Sequence, residues 1–169
     1  MRHRAISSYI ATRPAAKHLR MRSQKAFSII EMMIVVAIVG VLSGVAVPAY
    51  QEYISRSESY ETQLDMTSIS IELDDFLLEN NRLPNSLVEI GRGLSVDSWG
   101  NPYQYLNIAS AKGNGKLRKD KNLVPINTDY DLYSMGPDGQ SVSPLTAKSS
   151  KDDIIRANDG AYYGIAADY

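Results

Sequence analysis

The sequence contains no cysteine, and its two histidines, His3 and His18, both lie within the first 26 residues. The lack of cysteine excludes disulfides, thiol nucleophiles and cysteine-ligated metal sites. If the first 26 residues are removed, no imidazole remains. Ser-His-Asp catalysis, Cys-His catalysis and histidine-ligated zinc are then excluded as well. Because only carboxylate chemistry stays open, we predict that the chain is not an enzyme.

Acidic residues are missing from residues 1–26, which carry seven basic side chains. The whole chain has 18 basic and 19 acidic residues, so residues 27–169 hold 11 basic against 19 acidic ones. A basic head followed by an acidic body is typical of a sorting signal at a membrane. Since an acidic body is repelled by phosphate, we expect no nucleic-acid partner.

A run of 23 apolar or small residues, from Phe27 to Ala49, contains a single charge, Glu31. A helix of this length spans roughly 30 Å, the thickness of a bilayer core. The basic residues before it place the N-terminus in the cytoplasm and the body outside. A carboxylate costs about 2.5–3.5 kcal/mol at the bilayer centre and less near the interface. Glu31 therefore either lies at the headgroup level or pairs with a positive group in an assembly.

The string from Lys25 to Glu31, KAFSIIE, resembles the processing site of type IV prepilins. In that class a prepilin peptidase cuts before a Phe or Met, methylates the new N-terminus and requires glutamate at the fifth mature position. The resemblance implies cleavage between Ala26 and Phe27, N-methylation of Phe27, and an assembly role for Glu31 beside the α-amino group of a neighbouring subunit. The residue before the cut is usually glycine. Alanine is the smallest substitute, so we still expect processing at this site.

Gly40 and Pro48 match helix-loosening positions that are common in the stalks of pilins, and the resemblance gives them an assembly role. Proline removes one backbone hydrogen bond and favours a kink. Gly40 and Gly44 form a small-xxx-small pair, which lets helices approach closely in lipid. Two alternatives stay open. Translation can start at Met1 or at Met21, and a signal peptidase can cut after Gly44-Val45-Ala46 to leave a terminus near Val47.

The pattern predicts three parts: a removed leader (1–26), a stalk helix (27–80, membrane-spanning over 27–49) and a globular β domain (81–169). Helical spacing continues to about Asn80, and Pro84 follows. We expect an apolar stripe on this helix to pack against the body's own sheet. The stripe comprises Tyr50, Tyr53, Ile54, Tyr60, Leu64, Ile71 and Leu78.

Two short alternating runs, Tyr103–Asn107 and Asp129–Ser134, predict strands. The fold class is therefore α+β and pilin-like, with a long N-terminal helix on a small antiparallel sheet of about three strands. Residues 111–122 are turn-rich and hold five basic side chains, which predicts a hairpin tip in solvent.

Two segments, 97–107 (DSWGNPYQYLN) and 131–139 (DLYSMGPDG), resemble the G-type major pseudopilins of type II secretion. We interpret Trp99 as a structural anchor. In that family the second segment binds calcium through a carbonyl before the turn and aspartates on both sides. Carried over by position, the resemblance implies the Met135 carbonyl, Asp138, and Asp152 or Asp153 as ligands. The alternative is that these aspartates are solvated loop acids.

The resemblance implies a structural subunit of a pseudopilus that drives protein secretion. Its expected partners are copies of itself, other pseudopilins, inner-membrane secretion components, a prepilin peptidase and membrane lipid. Its expected location is the bacterial inner membrane, with the C-terminal domain in the periplasm. A major or minor subunit of a type IV pilus is the alternative. A membrane-tethered or secreted binding module is the hypothesis from another class.

Overall fold

A computed structural model describes residues 26–113 and 115–169 of the chain. Apart from Ala26, the predicted leader lies outside the described residues. One long helix precedes a four-stranded antiparallel sheet, so the predicted α+β class is confirmed. The elements are α1 (Ile29–Asn80), β1 (Gln104–Asn107), β2 (Tyr130–Ser134), β3 (Ile154–Ala157) and β4 (Tyr162–Ile165).

Helix α1 is 52 residues long and continues through Pro48. Every residue from 26 to 57 is exposed. In the part of the chain that the structure describes, α1 is the one helix that is long and apolar enough to cross a membrane. The helix ends at the predicted position because Asn81 adopts a φ of 55° and Pro84 follows.

The predicted packing of the apolar stripe on the body's own sheet is wrong. Tyr60, Leu64, Ile71 and Leu78 are between 58% and 82% exposed. The opposite face of α1 is the buried one, through Thr62, Met66, Ile69, Ser70 and Leu73. Helical period identifies a face but does not say which of two apolar faces meets the sheet. The helix therefore buries one stripe in its own body and leaves a second exposed.

The sheet is a meander in the order β1-β2-β3-β4, one strand more than the sequence predicts. Strands β1 and β2 fall within the two predicted runs, and Tyr105 pairs with Leu132 across them. Strand β3 was missed because all four of its residues are buried, so it lacks the alternation that marks a half-exposed strand.

The two faces of the sheet bury different clusters. On one face Tyr130, Leu132 and Ile154 pack against Met66, Ile69 and Leu73 of α1. On the other face Ile155 and Ala157 pack against Ile126, Leu145 and Ala166, with Tyr133 beside them. Residues on this second face, which we call the far face, are covered by the β1–β2 and β2–β3 connections.

The predicted solvent-exposed hairpin tip at 111–122 is wrong at two positions. Leu117 and Arg118 are only 4% and 2% exposed. The backbone of Lys119 bonds to Ser143 and Leu145 at 3.1 and 2.9 Å, so this connection packs on the next one. A basic residue in a turn-rich segment is normally solvated. Arg118 is buried by partners that lie far away in the chain, and they cannot be identified from the local sequence.

Arg92 fastens the segment after α1 to the helix. Its Nε donates to Glu72 at 2.9 Å, its Nη2 donates to Glu72 at 2.5 Å, and its Nη1 donates to Asp65 at 3.3 Å. The hydrogen bonds from Arg92 hold the pKa of Glu72 below its ordinary value of 4.5.

We expect the free energy of unfolding to fall in acid partly through Glu72. A carboxyl whose folded pKa is lowered stabilises the fold above its unfolded pKa, and this contribution disappears as the pH drops from 4.5 through the folded pKa. Because the pair is about one-third exposed, Glu72→Gln should reduce the acid loss by at most about 1 kcal/mol. Urea unfolding at several pH values measures this. The exposed variant Glu79→Gln is the control. The prediction is contradicted if the free energy of unfolding falls as much in acid for Glu72→Gln as for the wild type and the control.

Candidate functional site

The start of α1 is fixed by a reciprocal cap between Ser28 and Glu31. The Ser28 backbone N–H and hydroxyl donate to Glu31 Oε2 at 2.8 and 2.9 Å, and the Glu31 N–H donates to Ser28 Oγ at 3.2 Å. This is the capping box, for which Ser-x-x-Glu is the sequence signal. The cap was not among the features predicted from the sequence, although the signal is present. Glu31 thus has a local structural role besides its predicted role in assembly.

The predicted cleavage site lies just before this cap. Ala26 and Phe27 are exposed and precede the first helical residue, Ile29, so the bond between them lies outside the helix. Non-helical, exposed backbone is the kind that proteases accept. Cleavage there and methylation of Phe27 stay predictions.

The two helix-loosening positions lie on exposed parts of α1. Apart from the surrounding turns of α1 itself, a Cβ at Gly40 or at Gly44 would meet no atom within 4 Å, so both positions are open to the approach of another helix. Pro48 lies inside α1, which continues past it. The assembly roles predicted for Gly40 and Pro48 stay predictions.

The connection between β2 and β3 contains the residues predicted to bind calcium. It begins at Met135, which is half-buried, and turns at Asp138. The Asp138 N–H lies 3.4 Å from Asp152 Oδ2, so the structure brings these two aspartates together. Asp138 Oδ1 accepts from the Gln140 N–H at 2.7 Å, which closes the turn.

Asp153 faces away from this pair. Side chains of neighbouring residues in extended backbone point in opposite directions, and Asp153 is fully buried. Its Oδ2 accepts from Arg118 Nη2 and from the Ser141 hydroxyl, both at 2.5 Å. Among residues 26–113 and 115–169, no three His, Cys, Asp or Glu side chains converge on a common point. Asp153 therefore does not share a site with Asp138, whereas Asp152, the other predicted ligand, lies beside it. Calcium binding itself stays a prediction.

Two buried carboxylates lie on the far face of the sheet with Arg118. Burial raises the pKa of Asp131, and hydrogen bonds from the Arg118 N–H and from Asn127 oppose the shift. Burial also raises the pKa of Asp153, against the hydrogen bonds from Ser141 and Arg118. The cost of burying these carboxylates is thus offset only by the polar groups around them.

The tryptophan motif joins three parts of the body. Asp97 is buried and its Oδ1 accepts from the N–H groups of Trp99 and Asn101 at 3.0 and 2.8 Å. Trp99 packs against the core and its Nε1 donates to Glu58 Oε2 of α1 at 3.0 Å. The Asn101 side chain donates to the Gly136 carbonyl at 2.8 Å. The interpretation of Trp99 as a structural anchor is confirmed.

Comparison with known proteins finds three kinds of match. Residues 21–47 match the family model described as the prokaryotic N-terminal methylation motif. The chain is 30% identical over 143 residues to a type II secretion system core protein G of Pseudomonas aeruginosa, covering 72% of this chain and 89% of that protein. It is 29% identical over 150 residues to the type IV major pilin protein PilE of Neisseria gonorrhoeae, covering 81% of this chain and 87% of that protein.

A shorter match reaches higher identity. The type IV major alpha-pilin of Moraxella bovis is 42% identical over 59 residues, which is 35% of this chain and 37% of that protein. No solved structure shows a significant match.

Proposed function

Because the chain belongs to the family of the type II secretion system core protein G, we propose that it is a structural subunit of a pilus-like filament that drives protein secretion. The observation that carries this proposal is the extent of that similarity, which covers 89% of the relative and so reaches well beyond the 27-residue methylation motif. An apolar, membrane-anchored helix and a processing motif are what such a subunit requires.

The two apolar faces of the amphipathic part of α1 support assembly. One face is buried in the body, while Tyr60, Leu64, Ile71 and Leu78 remain exposed on the other. A row of exposed apolar side chains is costly in water and is typical of an interaction surface. We assign this exposed stripe to contacts with neighbouring copies in the filament.

We place the chain in the bacterial inner membrane with its N-terminus in the cytoplasm and its body in the periplasm. A prepilin peptidase cuts before Phe27, and the mature subunits then pack with one another and with other pseudopilins. Inner-membrane secretion components and lipid are the other proposed partners. This role contains no catalytic step, in keeping with a chain that has no cysteine and no histidine after residue 26.

A subunit of a type IV pilus is the second candidate. It is favoured by the 29% identity to a major pilin over 150 residues, which covers 87% of that pilin. Deletion and complementation in the native host separate the two candidates. Loss of secreted proteins with intact surface pili supports the secretion role, whereas loss of surface pili with intact secretion supports the pilus role.

The processing state is tested by intact mass and N-terminal sequencing of the protein from its native membrane. We expect a methylated N-terminus at Phe27. A terminus near Val47, or an uncut leader, would contradict the filament proposal and favour a secreted or membrane-tethered binding module.

We expect Ile71→Gln to weaken filament formation without weakening the fold. Ile71 is 58% exposed on the second stripe, so its replacement should change the free energy of unfolding by no more than about 0.5 kcal/mol. Leu73→Gln is the contrasting variant because Leu73 is fully buried, and it should cost about 3 kcal/mol or more. Filament yield after shearing and urea unfolding measure the two effects. Normal filament yield in Ile71→Gln contradicts the assignment of this stripe.

A further inference from the structure

A buried positive charge lies between the two connections that cover the far face of the sheet. Arg118, in the β1–β2 connection, is 2% exposed. Its Nη1 donates to Ser141 Oγ and the Val142 carbonyl at 2.6 and 2.7 Å, and its Nη2 donates to Asp153 Oδ2 at 2.5 Å. The guanidinium lies 4.2 Å from the centroid of the Tyr133 ring, which covers it.

The acceptors of Arg118 come from the middle and the end of the β2–β3 connection, residues 135–153. Ser141 and Val142 lie midway along it, and Asp153 is the last residue before β3. Three oxygens from two points of one loop thus converge on the guanidinium. The Ser141 hydroxyl also donates to Asp153 at 2.5 Å and links these two points directly. One side chain thus ties this loop to itself and to the preceding connection.

The group of oxygens around Arg118 is chemically what a hard cation requires. It combines a hydroxyl, a backbone carbonyl and a carboxylate, the ligand types that calcium takes in proteins. Here a guanidinium occupies that place and already carries the positive charge. A divalent ion beside it would be repelled at short range in a buried site. Asp153 therefore serves Arg118 and not a metal.

We infer that Arg118 is the internal cation that closes the β2–β3 connection, so that the closure needs no calcium ion and Asp153 is not available as a calcium ligand. This inference goes beyond the proposed function, because it concerns how the body is held folded. Its outcome is read from unfolding and proteolysis, so it can fail while the secretion role stands.

The test uses the full-length chain in detergent, with thermal unfolding followed by circular dichroism in calcium and in chelator. We expect the wild-type midpoint to be the same in both, within about 1 °C. Arg118→Met leaves Asp153 buried without its counter-charge, and we expect the midpoint to fall by about 10 °C. The exposed Lys116→Met, in the same connection, is the matched control and should leave the midpoint unchanged.

A double variant keeps the test decisive if Arg118→Met does not fold. Arg118→Met with Asp153→Leu removes both buried charges, and we expect it to recover most of the lost midpoint. Limited proteolysis with mass spectrometry should show faster cleavage within 135–153 in Arg118→Met than in the control. The inference is overturned if calcium raises the wild-type midpoint by several degrees, or if Arg118→Met unfolds and is cleaved like Lys116→Met.

Discussion

A Glu31→Gln chain should be cleaved before Phe27 and keep its fold, yet fail to enter filaments. Glutamine at this position can still accept from the Ser28 N–H and hydroxyl, so the capping box at the start of α1 is kept. What the substitution removes is the negative charge. If Glu31 pairs with the α-amino group of a neighbouring subunit, that loss abolishes the pairing and leaves the neighbour's positive charge unmatched in an apolar setting.

The matched control is a variant that weakens the cap and keeps the charge. Ser28→Ala removes the hydroxyl of the cap and leaves the Glu31 carboxylate, at a cost to the helix of about 1 kcal/mol. We expect this variant to assemble at close to the wild-type yield. Intact mass reports cleavage and methylation, and filament yield after shearing reports assembly.

The comparison separates the two roles of Glu31. Filaments lost in Glu31→Gln and kept in Ser28→Ala show that assembly depends on the charge. Filaments formed normally by Glu31→Gln contradict the predicted pairing. The opposite pattern, with assembly lost only in Ser28→Ala, identifies the ordered start of the helix as the feature that assembly requires.

Local sequence was enough to predict the helix and two of the four strands. The apolar run predicts where α1 begins, and Pro84 predicts where it stops. The helix ends at Asn80, as predicted. Alternating side chains reveal β1 and β2, but β3 is buried on both sides and carries no alternation. Patterns among residues close together in the chain were therefore sufficient to predict these elements. An element that is recognisable only by its burial in the tertiary structure could not be predicted.

The site was harder to predict because its decisive contacts are long-range. Arg118 and Asp153 are 35 residues apart, and nothing near either residue indicates that they meet. An arginine among lysines in a turn-rich segment resembles a solvated charge until its partner is known. The Ser28–Glu31 cap, by contrast, joins two residues that are three positions apart, and the sequence alone contains its signal.

Gly136→Ala is expected to destabilise the body more than Gly91→Ala does. Gly136 has a φ of 62°, and a Cβ added to it would lie against the backbone carbonyl of Asp152, with the carbonyl carbon 2.9 Å away. Left-handed backbone costs alanine about 1–2 kcal/mol, and overpacking against backbone that cannot rotate away costs about 1–3 kcal/mol more. We expect a total loss of about 3 kcal/mol in the free energy of unfolding.

The carbonyl and amide of Gly136 also carry contacts that hold the loop. Its carbonyl accepts from the Asn101 side chain at 2.8 Å, and its N–H donates to the Ser134 hydroxyl at 3.0 Å. Ser134 in turn donates to Asp97 at 2.5 Å. A displacement at Gly136 is therefore expected to reach the tryptophan motif, and the fluorescence of Trp99 should change together with the unfolding midpoint.

Gly91→Ala measures the cost of left-handed backbone without a steric clash. Gly91 has a φ of 77°, but a Cβ there would meet no atom within 4 Å, so only the left-handed backbone is penalised. We expect a loss of about 1 kcal/mol and unchanged Trp99 fluorescence. Urea unfolding of both full-length variants gives the difference. Equal losses in the two variants would mean that the carbonyl of Asp152 yields to the added methyl group, and that the β2–β3 connection is not held tightly against the turn at Gly136.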